Sequence, residues 1–271
     1  MRIEEKFEKL KERGGGAYMP HIYYGDPTPE FSRKEIKTLA ENGADFIEFG
    51  IPFSDPTADG PTFQKACERA LENGITPEDC IQGIEKLRSV GVDVPIIVTT
   101  YYNIIYTYGQ DAFLKRLQGA GAQGIIVPNI PLEEADSLKE KADELGIDVI
   151  LQVTPNTSEE RLDKIAKFSS GFLYVVNMEG VTGARDKVPK ATKGLMESVN
   201  ESAEIPLMAG FGVSKGDHAK ALTSAGADGV ITGSALGNIY EKNLSTPEDT
   251  LEEIGRFARR MKEACVEGYR K

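Results

Sequence analysis

The 271-residue chain is poor in the residues that metal and redox chemistry use. It holds three cysteines (Cys67, Cys80, Cys265) and two histidines (His21, His218). The cysteines fall on three different expected helices, without the short spacing of a metal site. They read as buried or free thiols of a reducing compartment. No apolar run approaches the roughly 20 residues of a membrane span. Met1-Arg2-Ile3-Glu4-Glu5-Lys6 reads as the start of an amphipathic helix and not as a signal peptide, so a cytoplasmic protein is expected. Positive charge is scarce as well: 32 Lys and Arg against 43 Asp and Glu give a net charge of −11. That balance argues against nucleic acid or an anionic membrane as partner. It leaves room for an anionic small molecule, because backbone N–H groups can hold one locally.

What the chain has in quantity is one recurring joint. Asn42-Gly43-Ala44-Asp45, Val90-Gly91-Val92-Asp93, Ala120-Gly121-Ala122-Gln123, Leu145-Gly146-Ile147-Asp148 and Ala225-Gly226-Ala227-Asp228 each put a Gly just past a helical pattern. That is where the left-handed C′ conformation needs no side chain. An apolar run follows each: 46–49, 96–100, 124–127, 149–153 and 229–232. With Ala17 to Tyr24, Phe172 to Asn177 and Pro206 to Gly210, eight strands alternate with helices, which predicts a parallel α/β sheet. The count fits a (β/α)8 TIM barrel with an additional N-terminal helix over 3–13, where Ile3, Phe7 and Leu10 recur at helical spacing. A doubly wound sheet is the other arrangement weighed, but no G-x-G-x-x-G follows the first strand. No low-complexity linker divides the chain, so residues 1–271 read as one domain, closed by a long helix from Pro247 to Tyr269.

The most informative stretch is 45–60. Glu48 interrupts the apolar run Asp45-Phe46-Ile47-Glu48-Phe49, and Asp59 follows on a loop rich in Pro, Asp and Gly. A charge inside such a run needs a partner or a cavity. Both acids belong to the C-terminal end of strand two, the functional face of a barrel. Two carboxylates there suit acid–base chemistry. Glu48 could instead pair with a neighbouring Arg or Lys, and Asp59 could simply make an Asx-turn or cap a helix. Tyr174 reads as core or as a pocket-lining hydroxyl. Asp26, before Pro27, reads as a turn former.

Gly210-Phe211-Gly212 and Gly233-Ser234 end the last two strands, and Gly180-Val181-Thr182-Gly183 follows strand six. Loops after strands seven and eight of barrels commonly build phosphate sites. Elimination narrows the reaction further. None of the eight strands contains the lysine a Schiff-base aldolase needs. The His and Cys set does not make a zinc site, and there is no G-x-S-x-G elbow. Proton transfer by carboxylates on a phosphorylated substrate, without cofactor or metal, remains.

The stretch Ile47-Glu48-Phe49-Gly50-x-x-Phe53-Ser54-Asp55-Pro56-x-Ala58-Asp59-Gly60 resembles the signature of the tryptophan synthase alpha subunit family. Tyr24-Gly25-Asp26-Pro27, Thr100-Tyr101-Tyr102-Asn103, Val127-Pro128-Asn129-Ile130-Pro131, Gly180-Val181-Thr182-Gly183-Ala184-Arg185, Gly210-Phe211-Gly212-Val213 and Gly233-Ser234-Ala235 extend the resemblance along nearly the whole chain. It implies a barrel that cleaves indole-3-glycerol phosphate to indole and glyceraldehyde 3-phosphate. Glu48 would be the general acid–base, and Asp59 would hold the indole N–H. Tyr174 and Phe211, with Ile126 and Ile231, would line the indole pocket. Gly183, Gly212, Gly233 and Ser234 would hold the phosphate, and Thr182 would order the lid over Asp59. The implied partner is a pyridoxal-phosphate-dependent beta subunit in an alpha2beta2 heterotetramer, faced by Asp55, Pro56 and Asn103.

Several positions depart from the family pattern. Phe49 and Thr57 stand where aliphatic residues are usual, and Asn129 replaces a common aspartate. His21, Thr99 and Gln152 occupy strand positions that are commonly apolar and touch the indole. Either these groups bond to neighbours, or the pocket serves a lyase or isomerase acting on a more polar phosphorylated metabolite.

Overall fold

A computed structural model describes residues 1–176, 190–210 and 212–269, the side chains of 190–193 excepted. Its strands are β1 (Ala17–Tyr23), β2 (Ile47–Gly50), β3 (Ile96–Thr99), β4 (Gly124–Ile126), β5 (Asp148–Ile150), β6 (Gln152–Val153), β7 (Leu173–Val176), β8 (Leu207–Gly210) and β9 (Gly229–Thr232). All described pairings are parallel, in the order β5-β4-β3-β2-β1-β9-β8-β7-β6. The two ends of that order, β5 and β6, are consecutive pieces of one stave interrupted at Leu151. The Leu151 carbonyl still accepts the Tyr174 N–H at 3.1 Å. The ring therefore closes, and the eight expected strands are the eight staves of a barrel with the fifth one broken. Helices fill the intervals. At the five recurrent joints the glycines have φ between 66° and 108°, so each helix ends in the left-handed turn that only Gly adopts without strain.

The barrel's interior and exterior read directly from the period of two along each strand. Outward residues such as Ile22, Phe49, Val98, Ile125 and Val175 pack under the helices. Inward residues Ala17, Met19, Ile97, Ile126, Ile150 and Met208 form a separate interior cluster. The helix Ile3–Glu12 closes the N-terminal end of that interior: Ile3, Phe7 and Leu10 are its buried residues. Phe7 lies 4.8 Å from the Phe46 ring and 6.2 Å from Phe172. Each such buried apolar side chain contributes about 1.5–3 kcal/mol. A side chain on Gly124 would come within 2.8 Å of Ile150 and 3.0 Å of Ile3, so this strand stays bare to admit the plug.

The closing helix, Leu251–Gly268, begins later than expected, because Pro247–Thr250 is a 3-10 turn. It covers the outside of β1. Lys262 donates to the Gly16 carbonyl at 2.8 Å and to Asp45 at 2.7 Å, while Lys6 reaches the other Asp45 oxygen at 3.1 Å. A Cβ at Gly16 would meet the Cys265 carbonyl oxygen at 2.7 Å. Cys67, Cys80 and Cys265 are all buried and free. Among the described residues no helix is long and apolar enough to cross a membrane.

Two buried acids belong to the frame. Asp26 is fully buried, and its carboxylate accepts Arg69 Nε at 2.7 Å, Arg69 Nη2 at 2.8 Å and the Tyr240 hydroxyl at 2.6 Å. Its side chain thus anchors an ion pair, where the sequence suggested only a turn. Glu35, 1 % exposed, has an Oε1 with no partner among the described residues. Burial, with Asp26 adding to it, pushes the Glu35 carboxyl well above the usual carboxylate range. A folded-state value above the unfolded one means that stability is full below about pH 4.5 and is lost as pH rises towards the folded value. Glu35→Gln should therefore raise Tm at pH 8 by a few °C and leave it unchanged near pH 4. Thermal melts at the two pH values check this.

Candidate functional site

Towards the C-terminal ends of the strands the interior turns polar. The inward series in β1 runs Ala17, Met19, His21, Tyr23, and in β3 it runs Ile97, Thr99. Parallel register sets His21 opposite Glu48, and Gly50 opposite Thr99. The three polar side chains meet there. Glu48, 1 % exposed, accepts the Thr99 hydroxyl on Oε1 at 2.7 Å, and the same oxygen lies 3.3 Å from His21 Nδ1. Glu48 Oε2 has no partner among the described residues.

No lysine or arginine neutralises Glu48 among the described residues. Burial pushes its carboxyl up to about 8; the Thr99 hydroxyl works against that shift and Asp59 adds to it. Burial drives His21 down to about 3, so its imidazole is neutral and the 3.3 Å contact is not an ion pair. A carboxyl held in this way is protonated at neutral pH and releases its proton in a physiological range.

Asp59 is held from two strands. Tyr23, the last residue of β1, and Tyr101, just past β3, both donate to its Oδ2 at 2.7 Å. Tyr101 Oη also accepts the Ala58 N–H at 3.0 Å, and its ring stacks on Phe53 at 5.1 Å. Burial raises the Asp59 carboxyl, and the two phenols oppose the shift. Sequence reasoning did not single out Tyr23 and Tyr101. Their signal is position: aromatic hydroxyls at the mouth end of strands, Tyr23 on the same inward period as His21.

Glu48, Asp59, Tyr174, Gly212, Gly233 and Ser234 all line one cavity of about 720 Å³. Tyr174 is buried and hydrogen-bond register places it opposite Gln152, which lines the cavity too. A Cβ at Gly210 would come within 2.7 Å of the Tyr174 ring, and one at Gly233 within 2.5 Å of Phe63. Both glycines thus give room to aromatic walls, a reason for Gly independent of any phosphate. Gly233 caps the short helix Ser234–Tyr240. Ile231 lines the cavity, whereas Ile126 is fully buried in the interior cluster. Thr182, Gly183 and Phe211 lie outside the described residues. No group of three or more His, Cys, Asp or Glu among the described residues could hold a metal ion.

Two of the other departures, Asn129 and Phe49, have local explanations. Asn129 Oδ1 accepts the Tyr102 N–H at 2.8 Å, the bond an aspartate would also make, and its amide donates to Asn103 at 3.1 Å. Phe49 points away from the mouth and stacks on Tyr24 at 5.1 Å.

Fold and mouth together define a (β/α)8-barrel enzyme with its chemistry at the C-terminal end of the sheet. The family model described as tryptophan synthase alpha chain matches residues 7–266. The tryptophan synthase alpha chain of Methanocaldococcus jannaschii is 46 % identical over 244 residues, covering 90 % of this chain and 86 % of the relative. That of Methanosarcina mazei is 45 % identical over 266 residues, covering 98 % and 95 %. A crystal structure of the alpha chain from Legionella pneumophila superposes with a TM-score of 0.88 at 33 % identity, over 97 % of each chain. The chain belongs to the tryptophan synthase alpha chain family. Its activity is that of a carbon–carbon lyase of tryptophan biosynthesis, which cleaves phosphorylated indole-3-glycerol to indole and glyceraldehyde 3-phosphate. A match of this depth does not favour the more polar metabolite, and His21 and Thr99 are both turned to Glu48.

Proposed function

We propose that Glu48 carries both proton transfers of this cleavage. The bond between the ring carbon and the glycerol carbon breaks. The ring carbon gains a proton, and the hydroxyl on the departing carbon loses one to become the aldehyde. A single carboxyl can give the first proton and then take the second, returning to its starting form. The observation that carries this reading is Glu48 itself: buried at the mouth, protonated at neutral pH, with one oxygen held and the other without a partner among the described residues. Asp59 accepts the indole N–H, which becomes more acidic as the ring takes up its proton. Tyr174 and Phe211 flank the ring. Gly183, Gly212, Gly233 and Ser234 hold the phosphate, and Thr182 orders the segment over Asp59. The chain works as one unit of 271 residues in the cytoplasm, bound to a tryptophan synthase beta subunit as an alpha2beta2 assembly, with Asp55, Pro56 and Asn103 towards that partner.

The decisive assay is release of indole from indole-3-glycerol phosphate by the purified chain, alone and with the beta subunit; no turnover in either would defeat the reading. The pH profile tests the order of the two transfers. Raising pH removes the proton with which the cycle begins. kcat/KM should therefore be level below about pH 8 and fall about tenfold per unit above it. A profile that rises through that window would instead put the hydroxyl proton first.

A further inference from the structure

The two oxygens of Glu48 stand in different surroundings, and two side chains make the difference. Oε1 has the Thr99 hydroxyl at 2.7 Å and His21 Nδ1 at 3.3 Å, whereas Oε2 is buried without a partner among the described residues. His21 Nε2 is buried without a described partner as well. A neutral imidazole carries one N–H, and the hydrogen bond available to it decides which nitrogen bears the proton. On Nε2 that N–H would be a buried donor without an acceptor among the described residues, which disfavours that tautomer. On Nδ1 it has Glu48 Oε1 within reach. The ring is fixed in this attitude: β1–β2 register sets His21 opposite Glu48, and the Phe63 and Tyr23 rings lie 4.5 Å and 5.1 Å from it.

We propose that His21 is a positioning residue for Glu48: its Nδ1–H and the Thr99 hydroxyl together hold Oε1 and leave Oε2 as the oxygen that exchanges protons with the substrate. This inference rests on Glu48 being the proton-transfer group. A carboxyl turns easily about its terminal bond; two donors on one oxygen stop that rotation and select the reacting atom. They also favour the charged form, and so restrain the upward push that burial exerts on this acid. Among the described residues, the groups that face Glu48 are His21 from β1, Thr99 from β3, Tyr174 from β7 and Asp59 from the loop after β2. Burial keeps His21 neutral and Tyr174 protonated between pH 5 and 9, so neither changes charge in the window where Glu48 titrates.

The experiment is the titration of Glu48 itself in the full chain, followed by carbon-13 NMR with carboxyl-labelled glutamate. The signal is assigned by its loss in Glu48→Gln. kcat and KM for indole release are measured beside it with the beta subunit present. His21→Phe should move the Glu48 titration up by about one pH unit. The same change should lower kcat about tenfold, with KM within about twofold. His21→Asn, whose amide nitrogen can stand where Nδ1 does, should restore the titration and most of kcat. Thr99→Val should move the titration in the same direction by itself. A His21→Phe titration that stays in place or moves down overturns the proposal, as does a His21→Asn variant that behaves like His21→Phe. The titration needs no turnover. A wild-type chain that released no indole would therefore defeat the assignment of Glu48 while leaving the effect of His21 on its carboxyl measurable.

Discussion

Glu48→Gln should lower the rate of indole release by about 10²–10⁴-fold, the span that a positioned general acid–base supplies. The fold should survive the change. At neutral pH the native side chain is already uncharged, because burial holds its proton on. The substituted amide has nearly the same volume, and its oxygen can still accept the Thr99 hydroxyl that now bonds Oε1 at 2.7 Å. Relative to the parent, the variant should gain Tm steadily as pH rises from about 4.5 to about 8, and the difference should level off above that. Over that window the folded parent keeps a proton that its unfolded chain releases, whereas the amide carries no such penalty. Steady-state kinetics with matched thermal melts measure both. A variant within tenfold of the parent rate would move the proton transfer to another group.

The second large effect concerns stability. Arg69→Met should cost about 3 kcal/mol, near the lower end for breaking a buried ion pair, and so lower Tm by roughly 6–12 °C. The guanidinium makes two short bonds to a carboxylate that is itself fully buried. Removing it leaves Asp26 with the Tyr240 hydroxyl at 2.6 Å, which keeps the loss below that of a bare buried charge. Adding Asp26→Asn to Arg69→Met should recover a good part of the loss, because the pair then carries no unmatched charge. Equal destabilisation by the single and the double variant would contradict this account.

The barrel was legible because its grammar is local. A Gly past each helix and an apolar run after it recur five times, and the period of two along β1 and β3 separates interior from exterior. The break at Leu151 was not legible, since Val149 to Val153 is a continuous apolar pattern broken only by Gln152, and pairing is decided by neighbours distant in sequence. The same limit applied at the mouth. Glu48 stood out as an acid inside an apolar run, and Asp59 as an acid on the following loop. What each touches depends on strand register. Thr99 and His21 looked like departures from an apolar wall until register placed them at Glu48. Tyr23 and Tyr101 carried no sign of their own in the sequence, and only the fold brings both hydroxyls to one Asp59 oxygen. Asp26 read as a turn because Arg69, its partner, is 43 positions away.

The placement of β1 has a consequence for synthesis. One of its edges pairs with β2, which emerges within a few tens of residues, while the other pairs with β9, at Ala17↔Gly229 to Pro20↔Thr232. Its outer cover, the segment around Lys262 and Cys265, comes later still. A growing chain therefore carries an open strand edge for most of its translation, the kind of edge that invites pairing with other chains. Ring closure is a long-range step of high loop entropy that arrives near the end. Chains cut before residue 229 should accordingly self-associate, whereas chains lacking only the last few residues should remain monomeric.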